Sequence, residues 1–426
     1  MIAIFGPGTH PDSVYGLSNF MGPLTENLVR HAGYVTCTNE MQVAGHGLCM
    51  QVHRMPLPPL LLAGLVEMFG AQYRAVDLAK ISLVLIPVAV SFGLVWERLR
   101  FLPESSLRWQ IPAFLLCCLL LPTLMVNVIH LQVEEGYSFC LLAYAFAVVL
   151  FVGEQGQYLP TRHGWAHAAL FAMAVLGLYL TKSSMIIVCI FLVGMYCRSV
   201  RQRWLVLLVI CISVSGPLGW AMYSLHSTGR FTLGTSLDGI NLHKGNNETF
   251  LKHYPPLDGG SLDRYDISLN NGKFFIDEWT FNEYHIHAAL EFMESHPLED
   301  VRGDLRKADM FFFSMRKVGS EKYTGILGLA TMTSMVLFRL LLWGACLLAF
   351  YLGWRGSAEQ RNSALIFGGV VLTVAAPYMV GFAFTRHASV LILPSALYVA
   401  YGCVTTWEGH AKDSLLVPAA SQDPIR

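Results

Sequence analysis

The chain has 426 residues, 54% of them hydrophobic and only 14% charged, and its formal net charge is zero. A water-soluble protein of this length has too little interior to hide so much apolar surface, so a lipid bilayer is the expected solvent. The neutral balance argues against a nucleic-acid partner.

Residues 1–75 form a polar first segment that closes on a dozen apolar residues after Pro56, Pro58 and Pro59. Proline suits an extended entry or a first helical turn, so the run predicts a short helix lying at the membrane interface. Met1 to Gly6 is far too short to cross a bilayer. Cys37 and Cys49 both lie in this polar segment and can pair if it faces an oxidising compartment. The other cysteines sit in or beside apolar runs and read as small core residues.

Apolar runs of spanning or near-spanning length follow at 76–96, 110–129, 136–153, 164–181, 183–197 and 204–224, then at 326–352, 364–384 and 388–406. The fourth and fifth are separated only by Thr-Lys-Ser-Ser, which predicts a tight hairpin, and the fifth is short enough to sit obliquely. The fold class expected is an all-α polytopic membrane protein with about nine spans. Its parts are a first external loop (1–75), six helices (76–224), a large external loop (225–325), three helices (326–406) and a tail (407–426).

One set of short connections holds Arg98, Arg100, Arg108, Arg162, Arg198, Arg201, Arg203, Arg355 and Arg361, while the other holds only Lys182 and Arg386. Positive residues favour the cytoplasmic side, so the first loop, the large loop, Lys182 and Arg386 are expected outside. An exported polar start with no preceding helix leads us to expect a further span upstream, ten in all. In the large loop, Gly, Ser and Asn over 220–250 predict irregular backbone. NEYHIHAALEFMESHP and PLEDVRGDLRKADMFFFSMRKVG predict amphipathic helices. In the second, Leu298, Val301, Leu305, Ala308 and Phe312 share a face suited to lying on a bilayer.

Four stretches in this order resemble the GT-C superfamily of polyprenyl-phosphate-sugar-dependent glycosyltransferases. The nearest likeness is to the bacterial, protein-mannosyltransferase-like branch that decorates lipopolysaccharide. They are PDSVYGLSNFMGPLTENL, HRMPLPPLLLAGLVEMFG, GPLGWAMYSLHSTGRFTLGTSLDGINLHKGNN and FTRHASVLILPSALYVAYG. They run over nearly the whole chain, although the family's first span and the arginine-asparagine pair that often follows its tryptophan are absent here. The resemblance implies an inverting glycosyltransferase in a bacterial inner membrane, with its site facing the periplasm. Its partners would be membrane lipid, a polyprenyl-phosphate sugar donor and a hydroxyl of an exported glycan, lipid or protein.

The resemblance puts Asp12 at the place of the family's catalytic base, where a carboxylate takes the acceptor's proton. It gives the turn HLQVEEG a second acidic residue, Glu135 being preferred over Glu134, to orient the acceptor or bind a metal. Lys182, Arg386 and Arg54 are the cations expected to hold the lipid phosphate, Lys182 and Arg386 because each sits against the positive-inside trend. No cofactor is called for, and a divalent metal is left open. His53, His243 and His387 show no paired metal-ligand spacing. The glycines of GINLHKGNN follow no βαβ strand, so a dinucleotide site is rejected. Two rival readings remain at this point, a flippase for a lipid-linked intermediate and a non-catalytic membrane scaffold.

Overall fold

The computed structural model describes residues 21–43, 46–71, 133–155, 164–253, 265, 268–314 and 325–402, with positions 76, 79, 82, 83, 85, 86 and 88–90 between them. Asp12, the span expected at 110–129 and the tail at 407–426 lie outside the described residues.

The first loop supplies α1 (Met21–Val29), strands β1 (Thr36–Val43) and β2 (His46–Met50), and α2 (Leu57–Phe69). β1 and β2 pair antiparallel with Cys37 opposite Cys49, and a disulfide joins the two. The hairpin is a departure from the all-α fold expected. Two strands are marginal in water unless they are tied or packed, and here the disulfide ties them. α2 is 13 residues long and begins with prolines at its first turn. It buries Leu62, Leu65 and Val66 while Leu60, Met68 and Phe69 stay exposed. At about 1.5 Å per residue it reaches only ~20 Å, too short to cross.

The bundle is built from α3 (Val133–Gln155), α4 (Gly164–Thr181), α5 (Ile186–Ser199), α6 (Arg203–Thr228), α11 (Gly325–Arg355), α12 (Ala358–Val380) and a last helix, α13, over 392–402. Three stretches in it are long and apolar enough to cross a membrane: Arg203–Thr228, Met332–Arg355 and Ala358–Val380. The chain is thus a helical membrane protein. α4 packs chiefly on α6 and α3, and α11 on α12, around one apolar core. On α6, Leu205, Val209, Trp220 and Ala221 turn inward, whereas Leu207, Ile210, Val214, Leu218, Met222 and Leu225 form an exposed stripe along its length. Water would penalise such a stripe; lipid accepts it.

The tight hairpin between α4 and α5 is present: a 3₁₀ turn, Ser183–Met185, follows Lys182 directly. At this end of the bundle the C-termini of α4 and α12 meet, since Lys182 lies over the Tyr378 ring. The α5–α6 and α11–α12 turns, with Arg198, Arg201, Arg203, Arg355 and Arg361, lie at the opposite ends of their helices.

The large loop supplies α7 (Asp238–Gly245), α8 (Phe250–His253), α9 (Glu278–Ser295) and α10 (Pro297–Phe312). Helix α7 corrects the expectation of irregular backbone over 220–250. Its glycines are packing devices: a Cβ on Gly239 would strike the Asn282 carbonyl, and one on Gly245 the Gly381 carbonyl. α9 starts earlier than its periodicity predicts because Asp277 caps it, accepting from the N–H groups of Trp279 and Thr280. α10 turns its apolar stripe away from the protein: Leu298, Val301 and Leu305 are exposed while Gly303, Lys307, Met310 and Phe311 are buried. An apolar face out and a lysine in is the geometry of a helix lying on a bilayer.

Candidate functional site

The first-loop chain leaves β2 and bends at residues 51–54 before α2 begins. Glu278, the first residue of α9 and itself buried, holds that bend. Its Oε1 accepts from the Gln51 N–H at 3.1 Å, and its Oε2 from the Val52 N–H at 3.1 Å and the Ser236 hydroxyl at 2.7 Å. Ser236 returns a bond from its N–H to the Val52 carbonyl at 3.0 Å. Residues 226 and 227 apart are thereby fastened into one surface.

This bend aims Arg54 at the start of α3, where its Nη1 pairs with Glu134 Oε1 at 3.3 Å. The Tyr34 hydroxyl donates to the Arg54 carbonyl at 2.9 Å, and Tyr34 meets Trp220 and Tyr223 edge-on. Beside Arg54, burial and the neighbouring cation push His53 down to about 3, so this ring is neutral at ordinary pH. Of the two glutamates in the turn, Glu134 makes the ion pair. Glu135 lies in α3, and its side chain is outside the described residues.

The stretch after α6 forms the next wall. Trp220 donates from Nε1 to the Gly234 carbonyl at 2.8 Å, and the Tyr179 hydroxyl to the Leu233 carbonyl at 2.6 Å. These bonds pin residues 233 and 234 to α6 and to the end of α4. Asp238 then opens α7, and its carboxylate accepts from the Thr235 N–H and hydroxyl at 2.8 Å each and from Ser183 Oγ at 3.4 Å. Solvent reaches the side chain, yet protein atoms crowd it closely enough for burial to raise its pKa. The Thr235 and Ser183 bonds and the Arg54 charge oppose that rise.

Lys182 precedes Ser183. Its ammonium stands 5.3 Å from the Tyr378 ring centroid, within cation–π range. His387 stacks on the other participant, Tyr378, at 4.2 Å, and accepts the Phe384 N–H at Nδ1. Arg386 lies over the Phe384 ring at 4.3 Å. Burial holds His387 far below the usual imidazole range, and Lys182 and Arg386 push in the same direction. Both cations therefore bear on one ring, and Arg54 bears on the carboxylate that touches the residue after Lys182. Ser236 bonds Val52, two residues before Arg54, and Asp238 bonds Ser183, one after Lys182, so the three expected phosphate ligands, scattered over more than 300 positions, lie toward one end of the bundle.

The GNN element sits deeper. Asn246 donates from Nδ2 to the carbonyls of Leu242 and Val380 at 2.8 Å, and its Oδ1 accepts from Lys307 Nζ at 3.0 Å. Lys307 is fully buried and paired with Asp304 at 2.6 Å. Burial lowers its pKa, and Asp304 and Asp300 counter that shift. These contacts lock α7 and α10 to the end of α12. His243 and His285 bridge α7 and α9 through Nδ1 atoms 2.8 Å apart, and His285 Nε2 meets Asn270 Oδ1 at 3.1 Å. Asn270 Oδ1 can only accept, so Nε2 carries the His285 proton, and His243 Nδ1 donates to His285 Nδ1.

Among the described residues, no three His, Cys, Asp or Glu side chains gather as a metal site. The sequence reading missed Asp238 and Glu278. Asp238 carried a legible signal, the Thr-x-x-Asp spacing of a helix cap, which pointed to structure rather than to a site. Comparison with family models, with curated proteins and with solved structures finds no match.

Proposed function

We propose that the chain is an integral-membrane glycosyltransferase of the GT-C type. It would move a sugar from a polyprenyl-phosphate donor to a hydroxyl of an exported acceptor at the outer face of a bacterial inner membrane. The observation that supports this reading is that Lys182 and Arg386 flank the stacked Tyr378 and His387 rings, while the Ser183–Asp238 and Ser236–Val52 bonds bring the Arg54 bend toward the same end of the apolar bundle. A guanidinium fork and an ammonium are the groups suited to phosphate oxygens. A lipid-linked donor brings its phosphate to the end of the spans, where these cations stand. The Cys37–Cys49 disulfide on the same loop supports an oxidising compartment on that side. A flippase would be expected to place ionisable groups near mid-membrane; here the cations gather beside the loops.

In this mechanism the cations hold the phosphate and neutralise the charge it gains as the anomeric C–O bond breaks. Asp12, by its resemblance to the family's base, takes the acceptor hydroxyl's proton as the glycosidic bond forms. Glu134 fixes Arg54, so its part is to aim the guanidinium. The test is binding of undecaprenyl phosphate to the purified chain in lipid nanodiscs. Lys182→Ala, Arg386→Ala and Arg54→Ala should each weaken binding by about 1.5–3 kcal/mol, the size of a charge-assisted hydrogen bond. Unchanged binding in all three would overturn the reading.

A further inference from the structure

Asp238 is the one described carboxylate beside these cations that nothing above employs. Among the described residues it forms no ion pair: its partners there are the neutral donors Thr235 and Ser183. The local turn leading into α7 accounts for Thr235, three residues away in the same segment. It does not account for Ser183, which arrives from the α4–α5 turn and places the carboxylate next to Lys182. Nor does it account for Gly234, where any Cβ would collide with Asp238 Oδ2, so the local backbone is shaped to admit this side chain.

A carboxylate beside a phosphate-binding group repels the phosphate itself, so its ligand is something else held at the same place. An ionised carboxylate only accepts hydrogen bonds, at about four lone-pair positions. Thr235 occupies two at 2.8 Å, and Ser183, at 3.4 Å, holds a third loosely. Solvent reaches the side chain. What a polyprenyl-phosphate donor offers one bond away from its phosphate is a ring of hydroxyl donors.

We infer that Asp238 is the sugar-reading carboxylate of this site, accepting hydrogen bonds from ring hydroxyls of the sugar carried on the lipid phosphate. The inference rests on the lipid-phosphate reading above and adds the group that distinguishes a charged donor from the spent carrier. Such discrimination matters to a transferase, because bare polyprenyl phosphate is its product and competes for the same cations.

The experiment uses the full chain in lipid nanodiscs and two kinds of probe: bare undecaprenyl phosphate, and undecaprenyl phosphate bearing glucose, mannose, galactose, xylose or arabinose. At least one glycosylated lipid should bind the unmodified protein about tenfold or more tightly than the bare lipid. Asp238→Asn, of the same shape, should erase that increment, while bare-lipid affinity holds or rises because a charge that repels the phosphate is gone. Ser183→Ala leaves the carboxylate in place and should keep the increment, which also guards against a merely misfolded variant. An increment that survives Asp238→Asn overturns the inference. So does equal weakening of both lipids, which would make Asp238 only a holder of the local turn, or the lack of any increment in the unmodified protein. Lys182→Ala should weaken bare and glycosylated lipids alike. If Lys182→Ala, Arg386→Ala and Arg54→Ala all leave bare-lipid binding unchanged, the phosphate reading has failed and the inference falls with it.

Discussion

Replacing Glu278 by Gln should undock the first loop from the large one without melting the bundle. The carboxylate is buried and holds three donors, Gln51 N–H, Val52 N–H and the Ser236 hydroxyl. Bonds to a charged acceptor contribute about 1.5–3 kcal/mol each. The amide keeps one oxygen. If that oxygen stands at Oε2, its NH₂ faces the Gln51 N–H, which loses its acceptor, and the other two bonds become neutral ones. Gln51 is partly exposed and recovers some of this from water. The net cost is then about 2–3 kcal/mol, or roughly a 30- to 150-fold rise in local opening. Amide hydrogen exchange at Gln51 and Val52 measures it directly. The core amides of α4 and α6 should keep their protection, since their packing does not involve Glu278. Protection at Val52 unchanged within about threefold, or equal loss throughout the bundle, would refute this account of the joint.

Acid should loosen the large loop, because burial lowers His243 to about 4 and His285 to about 3 from the model-peptide value of 6.5. A ring held neutral contributes stability that is whole above its unfolded pKa and drains as pH falls toward the folded one. At pH 5 the first proton on the pair costs about 2 kcal/mol, so limited proteolysis between α7 and α9 should accelerate markedly from pH 7.5 to 5. Equal cleavage at both pH values would exclude the pair as its cause. Reducing the Cys37–Cys49 disulfide should cost the hairpin about 2–3 kcal/mol, read as lost exchange protection in β1 and β2. Two free thiols in the untreated protein would remove the bond from the argument. Gly245→Ala must displace the Gly381 backbone and should lower stability by about 1–3 kcal/mol, seen as a lower unfolding temperature. An unshifted transition would show that the α7–α12 contact yields freely. Asp12→Asn should cut sugar transfer by about 10²-fold or more with donor binding retained, and normal transfer would end its role as base.

The readable part of this molecule was the part that the solvent dictates. Runs such as 204–224, 326–352 and 364–384 coincide with α6, α11 and α12 because a bilayer demands long apolar segments whatever their neighbours are. Lys182 and Arg386 stood out for the complementary reason, that a cation at the end of a span opposes a strong bias and needs a local cause. The amphipathic stripe of α10 was legible as a stripe, but its direction was not. Periodicity finds Leu298, Val301 and Leu305 on one face without saying whether protein covers it. The buried Lys307, satisfied by Asp304, Asn246 and the Val380 carbonyl, decides that question from the opposite face. One of those partners is an i,i+3 neighbour that a helical wheel displays, and the other two lie 61 and 73 residues away.

Distance along the chain also explains what escaped notice at the site. A glutamate such as Glu278, with an aspartate before it, reads as an ordinary helix start, and Asp277 does cap α9 in that way. What Glu278 does depends on two backbone N–H groups more than 220 residues upstream, left without strand partners where the chain bends out of β2. Backbone groups carry no residue identity, so no motif can announce a side chain whose partners are peptides. Asp238 poses the same problem in milder form, since its Thr235 contacts are local and Ser183 is 55 residues away. The irregular stretch between α6 and α7 looked structureless because its order is supplied from outside: Trp220 and Tyr179 hold its carbonyls, and Glu278 holds its hydroxyl. A segment ordered by the walls around it, rather than by its own repeat, is a suitable place for a binding carboxylate. Trp220 belongs to α6, Tyr179 to α4 and Glu278 to α9, so the segment that carries the carboxylate keeps its shape only while those helices stay together.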